Sequence, residues 1–358
     1  MIGPFSPPIT GNSFANDTLF NGIKSKNIQV DKINFGFSTL NEDLGKFSFH
    51  KAIHYSLVYR YLFKIFSFNK IYITIGQTFF GVIKYAPFIY TAKALKKEII
   101  VHIHGNHLNK EYEILKGIKK KIFYNIISQI DKGIVLSNSL KHNLTPFITL
   151  KKIFSVYNFV EDNITKNTTL NDIDKKTTKE LNIVFLSNLM TEKGIIDLLK
   201  SLIILNKRGI NFKAKIAGAI DSGFKNDIDN LFKKLNDNVE YLGVVTGNDK
   251  LKLLLKSNIF VFPTYYSMEG QPISILEALA TGNIVLTTNH AGIPDIFENK
   301  KNGFYIEKRN PKDIADKLNF ISNNFELIKP IMKNNYIEAS KKYTTDKFIN
   351  KIVKIIEK

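Results

Sequence analysis

The chemistry legible in this sequence starts with two glutamates. From Ser257 to Pro294 the only charged side chains are Glu269 and Glu277, eight positions apart in "YSMEGQPISILEALATGN", although 23% of the chain is charged. A carboxylate can accept hydrogen bonds from both hydroxyls of a vicinal diol, as acidic residues do for ribose in nucleotide sites. Amides at a helix N-terminus favour an anion, commonly a phosphate. "IFVFPTYYS" reads as a buried strand running into a loop that Glu269 and Gly270 close. Pro272 suits the first position of a helix, "ISILEALA" continues it, and Gly282 ends it. Loop, first-turn amides and Glu277 are thus expected to converge on a ligand that is part diphosphate and part polyol. A nucleotide sugar fits that description. The competing reading makes Glu277 an ordinary surface residue. Its neighbours on the helix face, Ile273, Ser274, Ala280 and Thr281, do not form a solvated charged face. Burying a lone carboxylate costs several kcal/mol unless it finds partners.

Two more residue types suit the same ligand. Lys193, in "LSNLMTEKG", falls at a loop-to-helix junction, a usual position for a phosphate-binding lysine. It also reads as a surface lysine after a turn, or as a salt-bridge partner for Glu277. His104, in "HIHGN", follows a strand, where an imidazole could donate to a sugar hydroxyl or assist an acceptor. His107 could take its place. His102 is expected on the other face of the strand and reads as structural. No Asp-x-Asp pair falls in a loop after a strand, so no metal site is expected, and charge stabilisation is assigned to Lys193 and the helix-end amides. The chain has no cysteine, which removes disulfides, thiolate catalysis and cysteine-based metal sites.

These residues need a scaffold. Apolar β-rich runs alternate with helical patterns along all 358 residues, the signature of α/β units around parallel sheets. Strands are expected at 28–33, 70–75, 99–103, 133–136 and 153–156, then at 182–186, 213–217, 239–242, 259–262, 284–287 and 303–306. The polar stretch "EDNITKNTTLNDIDKKTTKE" between the two groups reads as an interdomain linker. The expected architecture is two Rossmann-like doubly wound domains facing across a cleft. Residues 1–165 would form the first, completed by a C-terminal helix at 335–358, and residues 166–334 the second. In such sheets ligands bind beyond the carboxyl ends of the strands.

At this point a resemblance becomes specific. "EGQPISILE" resembles the Glu-x7-Glu donor motif of the family 4 (group 1) glycosyltransferases, which have the GT-B fold. "ALATGNIVLTTNHAGIPDIFENKKNGF" is similar to that family's continuation, and "FLSNLMTEKGIIDLL" to the opening of its second domain. "IIVHIHGN", "VYNFVED" and "IGPFSPPITGNSFAN" fall where first-domain motifs would be expected. The resemblance implies that Glu277 binds ribose hydroxyls and Glu269 faces the transferred sugar. The amides of Gln271, Pro272, Ile273 and Ser274, following Gly270, would meet sugar hydroxyls and diphosphate, with Lys193 neutralising the latter. It implies retention of anomeric configuration, with the departing phosphate taking the acceptor proton, and hexosyl transfer from a UDP- or GDP-linked sugar. No separate cofactor is implied. Two departures stand out. Asn188 occupies a position where many members carry an arginine that assists with the diphosphate, and the N-terminal loop keeps Gly11 but lacks the usual second glycine. The chain also begins at Met1-Ile2-Gly3, almost without the first strand that normally precedes this loop. Either the start omits that strand or the first sheet is incomplete, and the former is expected.

The acceptor is less legible. The net charge is +19, and residues 1–160 hold 21 Lys+Arg against 8 Asp+Glu, or +13, leaving 30 against 24, or +6, for the rest. An anionic partner would therefore be met by the first half. "HYSLVYRYLFKIFSFNK" and the run Lys119 to Lys121 combine basic and apolar residues, a pattern suited to anionic lipid headgroups or, equally, to a solvated helix face. A glycan or lipid-linked acceptor is expected, in bacterial surface polysaccharide or lipopolysaccharide synthesis. With no signal peptide and no membrane span, the expected location is cytoplasmic, at the inner face of the membrane when peripheral. Competing readings are another GT-B enzyme, such as a sugar-nucleotide epimerase, and a nucleic-acid-binding protein. No nucleic-acid module is recognisable, and charge thins out where the strongest motif lies, so nucleic acid is not expected as a partner.

Overall fold

The structure is a computed structural model that describes residues 1–8, 10–36, 49–176 and 180–358. The chain divides into two compact units. The first comprises Met1–Asn158, Met268–Gln271 and Asp346–Lys358, and the second Phe159–Ser267 and Pro272–Thr345.

Each unit is built on one six-stranded sheet in which every pairing is parallel. In the first, the strands are β1 (Ile2–Gly3), β2 (Ile33–Asn34), β3 (Lys70–Thr74), β4 (Glu98–Ile103), β5 (Lys132–Val135) and β6 (Ile153–Ser155), in the order β2-β1-β3-β4-β5-β6. In the second they are β7 (Leu181–Leu186), β8 (Phe212–Ala217), β9 (Val239–Tyr241), β10 (Ile259–Phe262), β11 (Ile284–Thr287) and β12 (Gly303–Tyr305), in the order β12-β11-β10-β7-β8-β9. The order reverses beside β7, where β8 lies on one side and β10 on the other. The carboxyl ends of β7 and β10 therefore bound the crevice in which a doubly wound sheet binds ligands.

The central strands read as unbroken apolar runs because helices cover both faces. All four residues of β10, Ile259 to Phe262, are buried, as are all four of β11. The six strands expected in the second half all form. The first sheet differs in two places. The residues expected as a strand at 28–33 pair only at Ile33–Asn34, and Ile2–Gly3 form a two-residue strand between β2 and β3, with Ile2 opposite both Ile33 and Ile73.

The stretch read as a linker is structured and counts with the second unit. It forms short helices at Asp162–Asn167 and Leu170–Asp174. The second has a reciprocal cap, Thr169 and Asp172 each bonding the other's backbone amide, and Ile164 and Ile173 are buried. Two isolated isoleucines give no visible period, which is why composition alone suggested a linker.

Candidate functional site

In the second unit the loops after β7 and β10 are stitched together. The amide of Tyr265 donates to the carbonyl of Glu192 at 2.8 Å, and the Thr264 hydroxyl donates to the same oxygen at 3.4 Å. Gly194 makes this approach feasible. Its φ is +83°, and a Cβ there would sit 2.4 Å from the carbonyl oxygen of Pro263. Lys193 ends the single turn Thr191–Lys193, its ammonium 4.5 Å from the centre of the Tyr266 ring and 5.6 Å from that of Phe262. Asn188 is exposed in the same loop. A second cation reaches these aromatics: the Arg309 guanidinium lies 4.6 Å over Tyr265.

The helix after β10 runs from Ile273 to Ala280 and brings Glu277 into its second turn. Pro272 is its N-cap, one position earlier than expected, with extended backbone (ψ 120°). Having no N–H, Pro272 offers no amide, so within 271–274 donors come only from Gln271, Ile273 and Ser274. At the other end Gly282 has φ +65° directly after the C-cap Thr281, as the sequence indicated.

Glu277 is not a surface residue: it is 2% exposed. Nor does Lys193 pair with it. Its partner is Lys250, on the helix Gly247–Lys256, whose ammonium donates to Glu277 Oε1 at 2.8 Å and to Glu161 Oε1 at 2.5 Å. Burial pushes the Glu277 carboxyl up to about 7, with Lys250 pulling down and Glu161 adding to the rise. Burial depresses Lys250, but the two carboxylates outweigh it and its pKa is raised. Sequence reasoning missed both Lys250 and Glu161. A signal existed for the lysine: Lys250 precedes Leu253 and Leu254 by three and four positions, which puts it on the buried face of that helix. Glu161 falls in both "VYNFVED" and the apparent linker, and neither reading singled it out.

The first unit gathers a different set. His104 follows β4, and His102 lies within it. The expectation that they occupy opposite faces is wrong: alternate residues of a strand share a face, and the two rings are 4.0 Å apart. His102 is fully buried and His104 partly so. Burial lowers the pKa of His104 to about 4, and burial with the neighbouring His104 drives His102 well below its ordinary value, so both are neutral near pH 7. His102 Nδ1 meets the Tyr72 hydroxyl at 2.5 Å, while Nε2 of each histidine has no hydrogen-bond partner among the described residues. His107 caps a different helix, its amide donating to Gln77 and its ring 3.4 Å from Glu111.

Residues 268–271 pack against this set. A Cβ on Gly270 would lie 2.1 Å from the His104 carbonyl oxygen, so only glycine permits that contact. Gln271 is held on three sides. Its Oε1 accepts from the Asn158 amide at 2.7 Å, its carbonyl accepts from the Asn158 side chain at 2.8 Å, and its Nε2 donates to the Leu136 carbonyl at 3.2 Å. Asn158, in "VYNFVED", is thus the partner that sequence reading did not single out. Glu269 is 7% exposed. Gly11 opens the helix Gly11–Ser25 on the surface with no atom of the described residues within 4 Å of where its Cβ would be, a site that space among them does not reserve for glycine. Among the described residues, no group of three or more His, Cys, Asp or Glu could hold a metal ion.

Two parallel doubly wound sheets define the class: the fold is GT-B, that of nucleotide-sugar glycosyltransferases. Structures with this fold superpose along almost the whole chain. Alr3699/HepE of Anabaena, solved in complex with UDP, has a TM-score of 0.75 at 15% identity, covering 99% of this chain and 98% of that one. Sucrose-phosphate synthase from Thermosynechococcus elongatus reaches 0.74 at 13% identity, covering 99% and 98%. At such identities the likeness concerns fold alone. Residues 167–343 match the sequence model of the family described as glycosyl transferases group 1. The capsular polysaccharide biosynthesis glycosyltransferase CapM of Staphylococcus aureus is 30% identical over 250 residues, which span 65% of this chain and 64% of CapM. The N,N'-diacetylbacillosaminyl-diphospho-undecaprenol alpha-1,3-N-acetylgalactosaminyltransferase of Campylobacter jejuni is 29% identical over 188 residues, 52% of this chain and 46% of its own.

Proposed function

We propose that the protein is a retaining glycosyltransferase that moves a hexosyl unit from a UDP- or GDP-linked sugar to a glycan or lipid-linked acceptor in surface polysaccharide synthesis. One observation carries the reading: a carboxylate, Glu277, buried in the second turn of the helix that follows β10, beside the point where the strand order reverses. A carboxylate so placed is suited to accept hydrogen bonds from ribose hydroxyls. Lys193 neutralises the leaving diphosphate, aided by the amides of Ile273 and Ser274, so stabilisation of the developing charge needs no metal. Glu269 and His104 meet the transferred sugar, His104 as a neutral donor, and the departing phosphate oxygen takes the proton of the acceptor hydroxyl. The names of CapM and of the Campylobacter enzyme support a polysaccharide or polyprenyl-diphosphate-linked acceptor.

The test is nucleotide binding. UDP and GDP are each added to the wild type and to Glu277→Gln, and melting temperature is followed. The wild type is expected to be stabilised by one of them, since a ligand bound only by the folded state raises apparent stability, and Glu277→Gln to lose the shift while melting cooperatively alone. An undiminished shift in the variant refutes the ribose role.

Membrane contact by the first unit accompanies this reading. No helix among the described residues is long and apolar enough to cross a bilayer. Leu57, Phe63 and Phe66 are 59%, 63% and 64% exposed, with Arg60 and Lys64 in the same segment. Apolar side chains with interleaved cations suit the interface of an anionic membrane. Sedimentation with anionic vesicles at low salt is expected to carry the wild type and to leave Phe63→Ser/Phe66→Ser in solution. Equal partition of both proteins removes this contact.

A further inference from the structure

Lys250 serves two carboxylates with one ammonium. The three charges come from separate elements: Glu161 from the residue before the helix Asp162–Asn167, Lys250 from Gly247–Lys256, and Glu277 from Ile273–Ala280. Their side chains are 21%, 11% and 3% exposed in that order, so Glu277 is the member cut off from water. On the helix Asp162–Asn167, which packs against both other helices, Lys166 pairs with Asp162 at 2.7 Å. Strands β10 and β11 carry no ionisable residue. On the helix Phe325–Lys342, which packs against Ile273–Ala280, Lys333 pairs with Asp174, Glu338 with Lys301, and the Tyr336 hydroxyl donates to the Thr168 carbonyl. With all three groups ionised the cluster carries one net negative charge, and repulsion in a dry site falls on its most buried member.

We propose that Lys250 is a positioning residue whose ammonium is divided between Glu277 and Glu161, so that Glu161 weakens and Lys250 strengthens Glu277 as a hydrogen-bond acceptor. The proposal deepens the ribose-binding role given to Glu277 and rests on it. A protonated carboxyl offers fewer acceptor lone pairs than a carboxylate and cannot take both hydroxyls of a diol equally. A diol donating to the ionised form favours that form, so nucleotide binding releases a proton from Glu277 near neutral pH. This fits a carboxyl that burial has raised to about 7 in the unliganded protein. The two variants follow with opposite signs. In Glu161→Gln, Lys250 is left with Glu277 alone and Glu277 ionises at lower pH. In Lys250→Met, nothing offsets the neighbouring carboxylate and Glu277 ionises at higher pH.

The full chain labelled with 13C at glutamate carboxyls tests this, the Glu277 resonance being the one that vanishes in Glu277→Gln. The expected midpoint lies near 7 in the wild type, about one pH unit lower in Glu161→Gln, and higher in Lys250→Met. UDP affinity below pH 7 is expected to improve up to about ten-fold in Glu161→Gln. Coincident midpoints in wild type and Glu161→Gln overturn the proposal even if Lys250→Met fails to fold. If the midpoints separate but neither UDP nor GDP stabilises the wild type, the charge sharing stands and the nucleotide role falls. If UDP binds through Glu277 while the midpoints coincide, the charge sharing falls alone.

Discussion

The two units share an architecture, but the polarity buried beneath the end of β4 differs in charge from that buried around Lys250, although the first unit also buries a carboxylate, Glu269. Beneath the end of β4, the first unit encloses neutral groups. His102 and His104 are neutral near pH 7, Tyr72 touches His102, and the Thr74 hydroxyl donates to Asn16 at 2.6 Å. The Asn16 amide in turn donates to the carbonyl of Pro4 at 2.8 Å, reaching the N-terminal loop. The second unit encloses charges or their remnants. Besides Lys250 and Glu277 it holds Lys176, whose ammonium donates to the carbonyls of Leu254 and Ser257 and to Asn283 Oδ1 at 2.8, 2.5 and 3.1 Å. Neutral groups are tolerated once hydrogen-bonded, whereas an ionised group needs several partners or gives up its charge. The proposed division of labour follows that contrast. A neutral imidazole can face a sugar without competing for phosphate, and a carboxylate poised between states can respond to a diol.

The strongest way to break the contrast is to remove the most enclosed cation. Lys176→Met leaves three buried acceptors with fewer donors, and among the described residues Lys176 has no carboxylate partner whose charge would be stranded. The expected loss is about 2–4 kcal/mol, at about 1–3 kcal/mol for each acceptor left unsatisfied with some relief from relaxation. Hydrogen exchange reads it unit by unit. Protection in β10 and β11 is expected to fall while that in β3, β4 and β5 stays as it was. Unchanged protection in β10 and β11 means the ammonium contributes nothing and the contrast is superficial.

How much of this the sequence carried depends on range. Strands of the second unit were legible because each is a short continuous apolar run between turn residues, as in "NIVFL" and "IFVF". Strand β1 was not, since two residues carry no period, and its pairing with Ile33 and Ile73 is set by distant chain. The helix at Leu170–Asp174 did have a local signal, Thr169 followed three positions later by Asp172, which polar composition masked. Placing His102 opposite His104 was an error of period that two-residue alternation could have prevented. Glu269 and Glu277 were found because they stand alone in an apolar stretch. Their surroundings were not, because Lys250 lies 27 positions from Glu277 and Glu161 lies 89 from Lys250, beyond the reach of any local pattern.

The finer test of the contrast is the sign of the pH dependence, where the effect is smaller. For the histidines, burial lowers His104 from 6.5 to about 4 and His102 at least in the same direction. Between those pH values the unfolded chain binds more protons than the native one. Their cost is therefore absent above 6.5 and grows as pH falls towards 4. For Glu277, burial raises the pKa from 4.5 to about 7, so across that interval the native state binds more protons. Its cost is absent below 4.5 and grows as pH rises towards 7. Between 4.5 and 6.5 the first unit should gain stability with rising pH and the second should lose it, by about 2 kcal/mol for each of His104 and Glu277. The opposing slopes hide each other in a melting curve of the whole protein but not in exchange protection corrected for intrinsic rates. Protection in β4 is expected to rise across this window and protection in β10 and β11 to fall, with Glu277→Gln flattening only the second trend. Slopes of one sign in both units would mean that the carboxyl is ionised throughout, held by Lys250 more firmly than its burial opposes.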